Sequence, residues 1–273
     1  MTGGVDYQQV VFLDTNALHY MSSYLRNARK YELPPYAAEA MEYADVQKAL
    51  KERLPAGIAD VLMSGCKTLA YLEGAVAEDE EGNGAVVYTS RLSIAEILYG
   101  VLDGQAHARM AREGIPYRMR QRLSDMSRLV SMYLDRTDYE NVRQEVYDIL
   151  TTLRESAGIS IGFVEEGISD DFSRILVISE YLQSTVFLDV LDCWMYGCAV
   201  VVQANQIITF DGYFREVANH IHSPGNEDWQ KVRRELKAEL ARLFPVDTGV
   251  SLSLPEVRDL PKQVPRSWEV NSA

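Results

Sequence analysis

The chain has few of the residues that characterise disulfide-stabilised or collagenous proteins. Only three of its 273 residues are cysteine (Cys66, Cys193 and Cys198), and none of them forms a CxxC pair. An odd number of scattered cysteines predicts reduced thiols in the core of a cytoplasmic protein. Nine prolines and 17 glycines are too few for a collagenous or low-complexity chain.

Long hydrophobic runs are also missing from the sequence, and we expect no secretory leader. The most apolar window, Phe187 to Val202, contains Asp189 and Asp192, so we expect no membrane-spanning helix. The residues from Met1 to Asp6 lack the basic start and apolar run of a secretory signal. A chain near this length can bury about 75% of its unfolded surface, so it needs no structural metal to form a core.

Positive charge is scarce overall but concentrated in one segment. Forty acidic side chains against 27 basic ones give a net charge of −13, which argues against a protein that coats nucleic acid through bulk positive charge. The segment 107–128 nevertheless holds six arginines and only two acids, Glu113 and Asp125. It is either a solvated helix face or a local patch that contacts phosphate groups.

Apolar, β-branched runs alternate with helical patterns along the chain. Strands are predicted at 9–13, 85–88, 159–164 and 206–210, and a helix that begins at Leu92 is expected to stop near Gly104. Strands separated by helices predict an α/β fold with a central, mostly parallel sheet that is covered on both faces. We expect a single domain over 1–273, with helical insertions at about 24–77 and 105–157 and a C-terminal helix and irregular tail over 227–273.

Four acidic residues occupy comparable places in this pattern. Asp14 and Asp211 each end a predicted strand, and ligands of parallel sheets bind outside the carboxyl ends of the strands. Glu96 lies one turn into the helix after the second strand, and Asp192 lies in the first turn of the helix before Asp211. Two carboxylates about 5 Å apart repel by roughly 3 kcal/mol at an effective dielectric of 20, so their convergence predicts a cation site. Oxygen ligands alone favour Mg²⁺ or Mn²⁺ over Zn²⁺.

Each acid also has a simpler explanation. Asp14 and Asp211 immediately precede predicted helices and are typical N-cap residues. Asp189 and Asp192 have the spacing of a helix cap and a first-turn acid, and Glu96 alone would be an ordinary exposed acid. The pair His220 and His222 suggests a second metal site, but residues two apart on a helix do not face each other, which favours a surface role.

The blocks that contain these acids resemble a known family. The run VVFLDTNAL at 10–18 resembles the opening motif of PIN-domain nucleases, an apolar strand that ends in Asp-Thr-Asn. The segment from Val87 to Gly100 is similar to the second block, a strand with Ser followed by a helix that bears Glu. The segments 192–199 and 207–211 resemble the third and fourth acidic blocks in order and spacing. Compact members of the family are much shorter, so the chain looks like an elaborated member with helical insertions.

The resemblance implies a three-layer α/β/α sandwich and metal-dependent hydrolysis of phosphodiester bonds, most often in single-stranded or structured RNA. The implied catalytic residues and Mg²⁺ or Mn²⁺ ligands are Asp14, Glu96, Asp192 and Asp211. Asn16, Ser90, Asp189 and Thr209 would orient the ligands or the attacking water, with turn or helix capping as the alternative. The residues expected to dock nucleic acid are Arg109, Arg112, Arg118, Arg120 and Arg122.

Several partners and activities stay open at this point. RNA is the expected substrate, an inhibitor or antitoxin and a second copy of the chain are candidate partners, and we expect no membrane association. One alternative is a catalytically silent nucleic-acid-binding or scaffold protein that keeps the fold. Another is an aspartyl-phosphate-type phosphatase, but that chemistry needs a second acid two positions after Asp14, where this chain has Asn16.

Overall fold

In the described part of the chain, five short strands form one sheet in which every neighbouring pair is parallel. The computed structural model describes residues 9–33, 43–77, 85–124, 131–167, 172–186, 188–243 and 254–257. The strand order is β3-β2-β1-β4-β5. The strands are β1 Val10–Leu13, β2 Val86–Thr89, β3 Ile161–Phe163, β4 Gln206–Ile208 and β5 Glu256–Val257. The described residues therefore form a mostly helical α/β fold with a small parallel sheet, as the alternating pattern predicts.

Helices connect the strands and make up most of the described residues. Those before β3 are α1 Thr15–Tyr31, α2 Tyr43–Arg53, α3 Ala56–Ala77, α4 Arg91–Arg112, α5 Tyr117–Ser124, a 3₁₀ turn Ser131–Tyr133 and α6 Arg136–Ala157. Those after β3 are α7 Val164–Gly167, α8 Phe172–Val186, α9 Val190–Val201, α10 Gly212–His222 and α11 Glu227–Leu243. In the described part of the chain, no helix combines the length and the apolar character that crossing a membrane would require.

Alternation along the strands gives each face of the sheet its own apolar core. Val11 and Leu13 of β1 pack into one core, and Phe12 between them packs into the other. Successive side chains of a strand point to opposite faces, so both faces of the sheet are buried. The first core includes residues of α1 to α4 and α6, and the second includes residues of α8 to α11.

The helices of the two predicted insertions contribute to the first core. Leu62 and Leu69 of α3 and Val142 and Leu153 of α6 are buried with Val87 of β2. Helices α1 and α3 approach so closely that a Cβ on Gly65 would lie 2.1 Å from the carbonyl oxygen of Tyr20. The three cysteines are buried free thiols, and burial raises the pKa of Cys66 and of Cys193 to about 12.

Two local predictions are wrong. Helix α4 passes through Gly104 and ends at Arg112, because Ala106 and Met110 are fully buried against Ile115, Tyr133 and Leu134. This packing outweighs the cost of about 1 kcal/mol for a glycine inside a helix. The C-terminal tail is also not wholly irregular, because Glu256 and Val257 extend the sheet beside β4.

Candidate functional site

A cavity of about 550 Å³ contains all four predicted acids in its wall. Asp14 directly follows β1, and Asp211 lies three residues after β4, so both come from the carboxyl edge of the sheet. Glu96 reaches the cavity from the second turn of α4, and Asp192 reaches it from the first turn of α9. The fold thus brings together four carboxylates that are separated by up to 197 positions in the chain (211 − 14).

Asp14 is the most buried of these acids, with 4% of its surface exposed. One carboxylate oxygen accepts a hydrogen bond from the backbone N–H of Thr15 (2.7 Å), and the other accepts one from the hydroxyl of Thr209 (2.7 Å). Burial raises the pKa of Asp14 to about 6; the two hydrogen bonds oppose this shift, and the negative charges of Glu96 and Asp211 add to it. Asp14 is therefore held rigidly in a place where its own charge is unfavourable.

Asp192 is half-buried on α9, beside the helix cap that Asp189 provides. One oxygen of Asp189 accepts hydrogen bonds from the backbone N–H groups of Leu191 (2.8 Å) and Asp192 (3.0 Å). Burial raises the pKa of Asp192 to about 7, and the charges of Asp189, Asp14, Asp211 and Glu96 raise it further in that order. Asp189 thus caps α9 and also lines the cavity.

Thr209 and Asn16 join the two strand ends from which Asp14 and Asp211 come. The Thr209 hydroxyl donates to Asp14 and accepts a hydrogen bond from the backbone N–H of Asp211 (3.0 Å). The side-chain oxygen of Asn16 accepts one from the backbone N–H of Phe210 (2.8 Å). Asp211 itself caps α10 by accepting from the N–H of Phe214 (2.8 Å). Its capping role therefore coexists with its place in the cavity wall.

Glu96 is oriented by a side chain that the sequence reasoning did not single out. The hydroxyl of Thr15, the residue after Asp14, donates a hydrogen bond to the Glu96 carboxylate. This contact links the start of α1 to the second turn of α4 across the cavity wall.

For Ser90, the structure shows the capping alternative. It caps α4, where its side chain accepts from the N–H of Leu92 (3.1 Å), and it is not among the cavity-lining residues. Its hydroxyl donates to Glu165 and accepts from the indole N–H of Trp194 (3.1 Å). Ser90 is therefore connected to the site through α4 and α9, the helices that carry Glu96 and Asp192.

The donor chemistry of the acidic part of the cavity fits a hard divalent cation, since its five acids offer only oxygen atoms as ligands. The side chains are not drawn together as ligands. Within the described ranges, no group of three or more His, Cys, Asp or Glu side chains is assembled tightly enough to hold a metal ion. The hydrogen bonds from Thr15, Thr209 and Phe214 occupy several of the oxygens that a cation would use.

The arginine segment begins on α4, about 20 Å along the helix from Glu96 at 1.5 Å per residue. Arg109 is tied down by an ion pair with Asp138 and a hydrogen bond to the carbonyl oxygen of Tyr133 (2.9 Å). Arg120 donates to the carbonyl oxygen of His107 (3.1 Å) and lies over the Tyr117 ring. The residues with exposed side chains are Arg112, Arg118 and Arg122; Arg128 lies outside the described residues.

His220 and His222 make separate contacts. His220 stacks on Trp229 with ring centroids 5.0 Å apart, and His222 bonds through Nδ1 to the carbonyl oxygen of Leu254 (3.0 Å). The two rings have different neighbours, as expected for positions two apart on a helix.

Sequence reasoning missed the non-acidic part of the cavity wall. This part includes His19, Tyr20, Ile97, Gly100, Val101, Leu191 and Met195. Helical spacing is the signal that could have found them, because positions three and four apart share a helix face. His19 and Tyr20 follow Asn16 at these distances, and Gly100 follows Glu96 by four.

Comparisons with protein-family models, with curated proteins and with solved structures found no match for this chain. The residues of the cavity therefore carry the functional inference.

Proposed function

We propose that this protein is a metal-dependent nuclease that hydrolyses phosphodiester bonds in single-stranded or structured RNA. We also propose that it is an elaborated PIN-domain protein with a three-layer α/β/α sandwich. The observation that carries this proposal is the convergence of Asp14, Glu96, Asp192 and Asp211 on one cavity at the carboxyl edge of a parallel sheet. Their order and spacing along the chain resemble those of the acidic blocks of PIN-domain nucleases.

Electrostatics supports a cation at this position. Burial and neighbouring negative charge raise the pKa of Asp14 to about 6 and that of Asp192 to about 7. Near neutral pH, a cation would offset the cost of keeping both groups ionised and would displace the remaining protons. One or two Mg²⁺ or Mn²⁺ ions held by the four acids would lower the pKa of a bound water and stabilise charge on the scissile phosphate.

The surrounding residues keep the acids in place. Thr209 fixes one oxygen of Asp14, Thr15 orients Glu96, and Asp189 caps the helix that carries Asp192. Outer contacts of this kind orient metal-binding carboxylates and tune their affinity. Asn16 ties the start of α1 to the loop before Asp211.

Substitution of Asp14 by Asn tests the proposal. Wild-type protein should cleave single-stranded RNA only when Mg²⁺ or Mn²⁺ is present, and Asp14→Asn should lower the rate at least about a hundredfold, because metal-assisted charge stabilisation contributes several kcal/mol. Asp60→Asn is the matched control, since Asp60 is exposed on α3 and away from the cavity wall. Single-stranded DNA of the same sequence tests the choice of RNA.

Thermal unfolding provides a second measurement that does not depend on the choice of substrate. Metal that binds only the folded protein stabilises it by RT ln(1 + [L]/Kd), so Mg²⁺ should raise the Tm of wild type and of Asp60→Asn. Asp14→Asn should lose most of this increase. Wild-type cleavage and an unchanged metal response in Asp14→Asn would contradict the proposed site.

A catalytically silent nucleic-acid-binding protein is the second candidate. One observation favours it. In the described residues, the carboxylates accept hydrogen bonds from separate protein groups and are not assembled as the ligands of a metal ion. RNA binding that does not depend on a divalent metal, without cleavage in Mg²⁺ or Mn²⁺, would support this alternative. The phosphatase alternative is weaker, because the Asn16 side chain is used in a backbone hydrogen bond where that chemistry needs an acid.

A further inference from the structure

One part of the cavity wall, among the described residues, carries no Asp or Glu side chain that would bind a metal ion and no Lys or Arg side chain that would bind a phosphate group. It includes the buried side chains of Ile97 and Met195 and the half-buried side chains of Val101 and Leu191. At about 550 Å³, the cavity falls within the range of roughly 300 to 1,000 Å³ that small-molecule sites occupy. An acidic part joined to an apolar and aromatic part suits a ligand that is charged at one end and flat and apolar at the other.

His19 supplies a polar group in this part of the wall. Its Nδ1 atom is buried without a hydrogen-bond partner in the described structure, and His19 is part of the cavity wall. Burial lowers the pKa of His19, and the positive charge of Arg26 lowers it further. The ring is therefore neutral near pH 7, and one of its nitrogens is a donor.

Tyr20 supplies a fixed aromatic ring next to His19. Its ring lies 5.2 Å from that of Phe210, the residue before Asp211, at an interplanar angle of 39°. The backbone carbonyl of Tyr20 is held against α3 by the close approach at Gly65. The ring thus contacts Phe210, and the backbone of the same residue packs against a neighbouring helix.

Gly100 keeps the α4 side of the cavity open. A Cβ built on this residue meets nothing within 4 Å. Gly104 lies one turn further along α4, is equally open and is not part of the cavity wall. A side chain at position 100 can therefore fill the cavity without changing the acids, and the same side chain at position 104 is the control outside it.

We infer that the wall formed by His19, Tyr20 and Gly100 binds a nucleobase of the nucleotide whose phosphate lies at the carboxylates. This inference rests on the proposed function and names the substrate feature that the site recognises. The base stacks on Tyr20 and receives a hydrogen bond from the imidazole of His19, while Gly100 leaves the space that the base occupies. The bound nucleotide has to be unpaired, because a base within a duplex exposes neither of its faces.

Equilibrium binding to the full chain tests this inference. The probes are the four nucleoside 5′-monophosphates and ribose 5-phosphate, each measured with and without Mg²⁺. Stacking of a base on an aromatic side chain predicts that at least one nucleotide binds about fivefold or more tightly than ribose 5-phosphate. Tyr20→Leu should remove this preference, and Tyr20→Phe should keep it.

The glycine pair separates loss of the base site from loss of the fold. Gly100→Phe should remove the preference for nucleotides over ribose 5-phosphate, and Gly104→Phe should leave it intact, with Tm measured for both. If ribose 5-phosphate binds in an Mg²⁺- and Asp14-dependent way and no nucleotide binds more tightly, the base wall is wrong and the nuclease proposal stands. If no probe binds and Mg²⁺ leaves the Tm unchanged, both fail.

Discussion

Asp14 shows how single residues combine structural and electrostatic roles at this site. It accepts two hydrogen bonds that fix its orientation, yet burial raises its pKa to about 6. A carboxylate whose pKa is raised in the folded state makes folding less favourable when it is ionised. The same residue that would hold a cation is thus a source of instability without one.

This leads to a prediction for the metal-free protein. Between about pH 4 and pH 7, Asp14 and Asp192 bind more protons in the folded state than in the unfolded state, because their pKa values are raised from 3.8 to about 6 and about 7. The free energy of unfolding should therefore fall as pH rises through this range. Asp14 alone accounts for about 3 kcal/mol at 1.36 kcal/mol per pKa unit.

Chemical denaturation at several pH values, with a chelator present, measures this slope. Asp14→Asn should be less sensitive to pH and more stable than wild type at pH 7.5, whereas Asp60→Asn should follow wild type. Added Mg²⁺ should stabilise the wild type more at pH 7.5 than at pH 5, because protons compete with the cation. A stability of the metal-free wild type that rises from pH 4 to pH 7 would refute this account of the site.

At the scale of elements, the contact between α1 and α3 positions one side of the cavity. Helix α1 carries Asn16, His19 and Tyr20, and its backbone packs directly against Gly65 of α3. Only a residue without a Cβ allows this approach, since a Cβ at this position would lie 2.1 Å from a carbonyl oxygen. A helix from a predicted insertion thus supports the candidate site.

We therefore expect Gly65→Ala to destabilise the protein by about 1 to 3 kcal/mol, as overpacking of a core does. Gly57→Ala is the matched control, because Gly57 lies in the first turn of the same helix with nothing within 4 Å of its Cβ position. It should be neutral or stabilising by up to about 1 kcal/mol, since alanine favours helix more than glycine does. Urea denaturation of both variants measures the difference, and equal effects would show that the close approach is unimportant.

At the scale of the whole molecule, a net charge of −13 and an acidic cavity oppose the approach of a polyanion. The arginine segment is the local exception, but its members differ in the structure. Arg109 and Arg120 are engaged with neighbouring groups, whereas Arg112, Arg118 and Arg122 are exposed. The last three are the residues available to dock a phosphate backbone.

Replacement of Arg112, Arg118 and Arg122 by Gln should weaken binding of single-stranded RNA with little dependence on its sequence. Each lost phosphate contact should make the slope of log K against log salt shallower by about 0.7. The control is replacement of Lys231, Arg234 and Lys237 by Gln, which removes the same charge from the exposed surface of α11. An equal change of slope in both variants would mean that only net charge matters and that the segment is a solvated helix face.

Much of the fold was accessible from local pattern. The strands at β1, β2, β3 and β4 and the parallel sheet follow from apolar runs separated by helical segments, because each run is too short and too β-branched for a buried helix. The end of α4 and the strand β5 were not accessible. Burial of Ala106 and Met110 extends α4 past Gly104, and pairing with β4 places Glu256 and Val257 in the sheet. Each of these two features depends on residues that are distant in sequence.

Local pattern was enough to indicate which acids could meet, since parallel strands bring their carboxyl ends to one edge and the motifs place an acid near each end. How each acid is held, and what lies beside it, depends on the packing of distant segments. The Thr15 hydroxyl orients Glu96, and the Ser90 hydroxyl bonds to Glu165 and Trp194 outside the cavity wall. His19 and Tyr20 form another part of that wall. These contacts join positions up to 104 residues apart, and their geometry depends on how closely the helices pack, which local propensity does not specify.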